Sequence, residues 1–299
     1  MPRKIKATVL AALCSTVIGA GVAGCNGDAL ENWDPVASAE QQVEADLISG
    51  TKKIKVAGTS VNVSCAGDAA DGEPVIVLMH GGGDDLSKMA ALQKTLSGKN
   101  RVCSYDRLGA GGSDKPQGSQ DFESTGKILT GVLDRIAGDR PVVLAGHSLG
   151  GLIAARYAPD HQDRVKGLVL MDATPSTMAG DVAKVIPASA KGPAAEVRAQ
   201  NLAIFKGQNP EQLVMPDGKV RSAGDIPVEV IQHGQPYLAA IPTYGKQLEK
   251  AWSAGQRKWL EISSDSRPST AAKSGHYIYV DQPDVAVKAI QRVTTQVAG

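Results

Sequence analysis

The residues best placed to do covalent chemistry begin with Gly146-His147-Ser148-Leu149-Gly150, which sets a serine hydroxyl between two glycines. An apolar run, Pro141 to Ala145, precedes it, and a helix-like run, Leu152 to Ala158, follows. Strand, tight turn and helix in that order make a nucleophile elbow. The turn holds the serine in a strained conformation and presents its hydroxyl in the open. A Cβ at the flanking positions would collide with the turn, so both are glycine. A serine hydroxyl is a weak nucleophile at neutral pH and needs an adjacent base. With 33 glycines in 299 residues, a G-x-S-x-G match alone decides little. The rest of the chain must supply a base, an acid and donors for a developing oxyanion.

The elements that would position such groups alternate along the chain. Lys52 to Val56 and Val61 to Cys65 alternate like strands, with Gly58 at the turn between them. Pro74 to Met79 is continuously apolar, as a strand buried on both faces should be, and it ends at His80-Gly81-Gly82-Gly83. Arg101 to Tyr105 is a further strand, and a glycine-rich loop from Asp106 to Ser113 follows it. That loop is not a dinucleotide fingerprint, because Asp114 stands where the third glycine should be. Phe122 to Ile136 reads as a helix. Val165 to Met171 is an apolar strand ending at Asp172. Pro175 to Gly224 breaks the alternation with Pro187, Pro193, Pro210 and Pro216, and reads as a cap inserted over the sheet edge. Pro227 to Gln232 resumes as a strand, Tyr244 to Ile262 as a helix, and Pro268 to Lys273 as a short last strand. Asp281 and Pro283 open a final helix through Val293. The expected fold class is α/β: a mostly parallel twisted sheet of about eight strands, helices on both faces, and a small cap over residues 175–224. Ligands in such sheets bind at the carboxyl ends of strands, so the His80–Gly83 loop, the 106–113 loop, Ser148 and Asp172 should share one edge.

Taken together, the ordered landmarks resemble the α/β-hydrolase fold family. They are His80-Gly81-Gly82-Gly83, Tyr105-Asp106-Arg107 with Gly109, Gly111 and Ser113, the Ser148 pentapeptide, and Ser274-Gly275-His276-Tyr277-Ile278. The resemblance covers residues 52–299 and implies an esterase-like serine hydrolase. By that resemblance Ser148 is the nucleophile and His276 the general base, help contributing about 10²–10⁴-fold. The amide of Leu149, directly after the nucleophile, is one oxyanion donor; the resemblance implies Gly82 as the other, with Gly83 second. The acid departs from the usual order. The strand at Pro227 to Gln232 runs into His233-Gly234-Gln235-Pro236-Tyr237, with no carboxylate. Asp172 is the expected replacement, because it ends the preceding strand at the same edge. Asp225 lies before a strand, Asp265 in a turn, and Asp281 is expected to cap the final helix. His80 and His147 are expected to brace their loops, and His161 to lie at the surface.

The N-terminus reads as an export signal. Arg3, Lys4 and Lys6 precede an apolar stretch, Ala7 to Gly21, too short to span a membrane comfortably. Val22-Ala23-Gly24-Cys25 resembles the lipobox of bacterial lipoproteins, which implies a signal peptide over 1–24, lipid on Cys25, anchoring to a bacterial membrane or envelope, and a tether over 25–50 before a domain over 51–299; the alternative is an ordinary secretory signal and a secreted protein. Cys65 and Cys103 then remain, and an oxidising compartment suggests one disulfide between them. By the family's strand count they fall in neighbouring strands.

Hydrophobic content of 42%, charged content of 21% and a formal charge of +1 suit a globular domain and argue against a nucleic-acid partner. No His, Cys or carboxylate cluster has metal-ligand spacing, and no cofactor is implied. The leading reading is cleavage of a small or medium carboxylic ester through an acyl-enzyme. A second keeps the triad for another reaction, as in cofactor-free peroxidases, aminopeptidases, thioesterases or acyltransferases. A third, a non-catalytic surface binding protein on the same scaffold, predicts lost catalytic residues, whereas Ser148 and His276 are present.

Overall fold

The computed structural model describes residues 48–68, 70 and 72–299. The expected signal peptide, Cys25 and the tether as far as residue 47 lie outside the described residues. Among the described residues the strands are β1 (Gly50–Val56), β2 (Thr59–Ala66), β3 (Val75–Met79), β4 (Val102–Tyr105), β5 (Val142–His147), β6 (Val165–Met171), β7 (Val228–His233) and β8 (Ser266–Ala271). They form one sheet in the order β1-β2-β4-β3-β5-β6-β7-β8. Pairing is antiparallel from β1 through β2 to β4 and parallel across the rest. The mostly parallel sheet expected from the alternating apolar runs is therefore present. The helices are α1 (Ala90–Leu96), α2 (Phe122–Ala137), α3 (Leu149–Tyr157), α4 (Met178–Val185), α5 (Pro193–Phe205), α6 (Gly245–Trp259), α7 (Ile278–Asp281) and α8 (Pro283–Ala298).

The continuous apolar run of β3 is explained by burial on both faces. Val75, Val77 and Met79 pack with Leu129, Val132, Leu133 and Ile136 of α2 and with Leu152 and Ile153 of α3. Ile76 and Leu78 face the other way, onto Leu92 and Leu96 of α1 and onto Ala286, Ala289, Ile290 and Val293 of α8. Alternate residues of one strand thus feed two cores. Each fully buried Leu or Ile contributes about 2 kcal/mol. Helix α2 starts at a reciprocal cap, in which the Asp121 carboxylate accepts from Ser124 N at 2.8 Å and Ser124 Oγ accepts from Asp121 N at 2.9 Å.

Parallel register brings the strand ends level. Met79 pairs with Gly146, His147 with Met171, Met171 with Ile231, and His233 with Ala271. The residues that follow these ends are His80–Gly83, Ser148, Asp172, Gly234 and the Ala272–His276 loop. They lie along one edge of the sheet, as the expectation for such a sheet requires.

Three local expectations change. β8 begins at Ser266 rather than Pro268, because it is the outermost strand, where a proline's missing N–H can face away from the ladder. The last helix runs to Ala298 rather than Val293. Ile48 is already buried and its carbonyl accepts from Arg101 Nη2 at 2.6 Å, so packing begins just ahead of residue 51. The 175–224 segment holds α4 and α5. Their buried Met178, Val182 and Ala194 pack on Leu248 and Trp252 of α6.

Cys65 and Cys103 are directly opposite across β2 and β4 and form a disulfide spanning 38 residues of sequence. Closing a loop of that length restricts the unfolded chain by about 4 kcal/mol. A Cys65→Ala/Cys103→Ala protein should therefore unfold roughly 10 °C lower in a thermal melt. An unchanged midpoint would contradict that role.

Candidate active site

Ser148 joins β5 to α3 with φ 49° and ψ −116°, a left-handed conformation that costs a residue with a Cβ energy. Its neighbours show why glycine is required on both sides. A Cβ on Gly146 would lie 2.5 Å from Gly150 C, and one on Gly150 would lie 2.3 Å from Met79 O. The strained turn is clamped by the main chain: Ser148 N donates to Met171 O at 3.1 Å, and Thr174 N donates to Ser148 O at 3.1 Å. These two bonds tie the serine to both sides of Asp172.

Asp172 follows β6 with φ 46° and has no solvent exposure. His276 Nδ1 donates to its Oδ2 at 2.7 Å. His233 Nδ1 lies 2.8 Å from Oδ1 and 3.0 Å from Oδ2, and Trp252 Nε1 donates to Oδ1 at 2.9 Å. Burial alone would raise the carboxyl's pKa, but the hydrogen bonds and charges of His233 and His276 outweigh it and hold the value at about 2. The group is a carboxylate at neutral pH and keeps the proton of His276 on Nδ1. The other ring nitrogen, Nε2, is then free to take a proton.

The loop that carries His276 is fixed from below. Asp281 Oδ2 accepts from Gly275 N at 2.9 Å and from Ser274 Oγ at 3.2 Å. This corrects the expectation that Asp281 caps the final helix: its carboxylate turns back onto the histidine loop. His147 Nε2 donates to His276 O at 3.0 Å, so His147 braces that loop. Burial and the neighbouring His276 push the His147 pKa down to about 3, so its ring is neutral. The His276 ring lies among those of His147, Tyr237, Trp252 and Tyr277, with centroids 4.5 to 5.6 Å away.

Ser148 Oγ sits 3.4 Å from Thr174 Oγ1, a long contact, and no hydrogen bond joins it to His276 Nε2 in this arrangement. Such bonds are often absent without substrate and close when one binds. A rotation about the serine Cα–Cβ bond would redirect the hydroxyl.

Gly82 and Leu149 are side by side, since a Cβ on Gly82 would lie 3.4 Å from Leu149 Cδ2. Leu149 is the first residue of α3, so its N–H has no partner within the helix. The loop before Gly82 is pinned by Arg107. Its guanidinium donates to His80 O at 2.7 Å and Gly81 O at 2.9 Å, and both of its other contacts, at 2.7 Å, reach the Glu211 carboxylate. The pair is buried, and removing one partner of such a pair typically costs about 3–5 kcal/mol. His80 has Nδ1 2.8 Å from Gly81 O in its own loop, and its Nε2 accepts from Arg107 N at 3.4 Å, which links that loop to the one after β4. His161 stacks on Tyr157, with ring centroids 3.8 Å apart, and is half-buried rather than fully at the surface.

Sequence reasoning missed His233, Trp252 and Glu249. The one signal was the absence of a carboxylate after β7, where a histidine stands instead. That histidine now proves to be a partner of the carboxylate one strand away.

The Asp172 carboxyl makes an acid-dependent contribution to stability. Its folded value lies below that of an unfolded aspartate, so the contribution is complete above about pH 4 and is lost as pH falls toward 2. Wild-type protein should lose roughly 2 kcal/mol more unfolding free energy than Asp172→Asn between about pH 5 and about pH 2.5 in denaturant titrations. Parallel curves for the two proteins would show that Asp172 is not held in this way.

A family model described as alpha/beta hydrolase fold matches residues 74–281. The chain is 34% identical over 112 residues to an Arabidopsis thaliana 1-acylglycerol-3-phosphate O-acyltransferase, a match covering 35% of this chain and only 26% of that protein's length. It is 24% identical over 276 residues to the human (lyso)-N-acylphosphatidylethanolamine lipase, which covers 74% of this chain and 79% of the lipase. Among solved structures, the enol-lactonase from Burkholderia xenovorans LB400 superposes with a TM-score of 0.57 at 21% identity, over 82% of this chain and 100% of the lactonase. At that identity the likeness is one of fold. The family match, by contrast, runs from the residue before β3 to the end of α7, and on it the chain belongs to the alpha/beta hydrolase fold family.

Proposed function

We propose that the chain is a serine hydrolase that cleaves a small or medium carboxylic ester through an acyl-enzyme on Ser148. The observation that carries this reading is the buried Asp172 carboxylate, 2.7 Å from His276 Nδ1, beside a strained serine at a strand-to-helix turn. The hydrolase names borne by relatives support it. Ser148 Oγ attacks the ester carbonyl carbon and passes its proton to His276 Nε2. The tetrahedral oxyanion is met by the N–H groups of Leu149 and Gly82, each worth roughly 3–4 kcal/mol. Collapse breaks the ester C–O bond, and the leaving alcohol takes the proton from Nε2. A water then attacks the acyl-enzyme, again giving its proton to His276. The carboxylic acid leaves as Ser148 recovers its own. Asp172 stays ionised throughout and stabilises the imidazolium. The 175–224 segment is the cap that selects the acyl group.

The same reading places the enzyme outside the cytoplasm, anchored to a bacterial envelope by lipid on Cys25. Its support is the charged Arg3, Lys4 and Lys6, the short apolar stretch and the Val22-Ala23-Gly24-Cys25 sequence.

Two experiments test these statements. Ser148→Ala should lower ester turnover by about 10³-fold or more and abolish labelling by a fluorophosphonate probe. Full turnover in that variant, or no labelling of wild type, would refute the hydrolase reading. In bacteria fed a labelled fatty acid, wild type should carry label and sediment with membranes, while Cys25→Ser should do neither. Equal labelling of the two would refute the anchor.

A further inference from the structure

His233 takes no part in the steps above, yet its ring is held more tightly than that of His276. Nδ1 lies 2.8 Å from Asp172 Oδ1, and Nε2 lies 2.9 Å from Glu249 Oε2. Ionised carboxylates only accept hydrogen bonds, so each ring nitrogen must carry a proton. The second oxygen of Glu249 accepts from Leu238 N at 2.6 Å, which ties this carboxylate to the segment after β7. His233 N also reaches Asp172 Oδ1, at 3.3 Å. The Asp172 carboxylate is therefore gripped by His233 on one side and His276 on the other, with Trp252 closing the third direction.

We propose that His233 and Glu249 are positioning residues: His233, held as an imidazolium between two carboxylates, fixes the plane of Asp172 that His276 needs. The proposal rests on the reading of Ser148, His276 and Asp172 given above. The neighbours of His233 are consistent with a charged ring. Tyr237 meets it edge-on at 4.8 Å, and burial raises that phenol's pKa, so it stays neutral. Trp252 carries no charge. Lys250 and Arg257 line, together with His233 and Glu249, a groove of about 580 Å³. His276 faces His233 only through the shared carboxylate. Burial alone would lower the His233 pKa, but Asp172 and Glu249 outweigh it and raise the value. The bridging contribution is then complete below the ordinary histidine value and is lost as pH rises through the raised one.

Side-chain nitrogen NMR on the full chain carrying Ser148→Ala reads the protonation directly, with His233→Gln used to assign the signal. Both ring nitrogens of His233 should be protonated at neutral pH, and Glu249→Gln should lower the pH at which one proton is lost. A neutral single tautomer at neutral pH, or a titration unmoved by Glu249→Gln, would overturn the proposal. This readout does not depend on turnover, so it stands apart from any failure of the hydrolase reading. For turnover, p-nitrophenyl acetate hydrolysis by His233→Gln should show kcat down about tenfold with KM little changed. An unchanged kcat would reduce His233 to a packing residue.

Discussion

A carboxylate with no access to water must find donors or give up its charge, and Asp172 is that group here. Its donors come from three separate parts of the chain. His276 arrives on the loop after β8, His233 at the end of β7, and Trp252 from the middle of α6. Each must be in place for the charge to be tolerated. The site and the fold are thus coupled through one group: whatever secures Asp172 also orients the imidazole beside Ser148.

Level strand ends make this coupling geometrically achievable. β5, β6 and β7 run parallel in adjacent positions, so Ser148, Asp172 and His233 follow one another across the edge at strand spacing. Rigid strands hold their positions better than loops would. The less regular parts are fastened separately. Arg107 and Glu211 hold the loop before Gly82, and Asp281 and His147 hold the loop of His276. Arg107, Glu211 and His147 reach these loops from segments distant in sequence, whereas Asp281 lies six residues from Gly275.

Much of this was legible in the chain itself. Continuous apolar runs such as Val75–Met79 announce doubly covered strands, because only a parallel sheet between two helix layers buries both faces. The strained turn at Ser148 was legible from its glycines. The strand-end place of Asp172 followed from Val165–Met171. The local misreadings came from treating residues by type alone. Pro268 is accepted inside β8 because the strand is at the edge, and Asp281 folds back onto Gly275 instead of capping a helix. The network behind Asp172 was not legible for a different reason. His233 and Trp252 meet Asp172 from 61 and 80 residues away, Glu249 joins them only through His233, and side-chain contacts of that range leave no spacing in a sequence. Only the missing carboxylate after β7 hinted that something else stood there.

In the proposed mechanism Asp172, through His276, drives acylation of Ser148. Rapid mixing with a p-nitrophenyl ester, followed by peptide mass analysis, measures that step alone. Wild type should release a burst of about one nitrophenolate per active site and carry the acyl mass on the peptide containing Ser148, while Asp172→Asn should acylate the same serine about 10³–10⁴-fold more slowly. An acyl group found elsewhere, or an undiminished burst rate in Asp172→Asn, would rule out that role for Asp172.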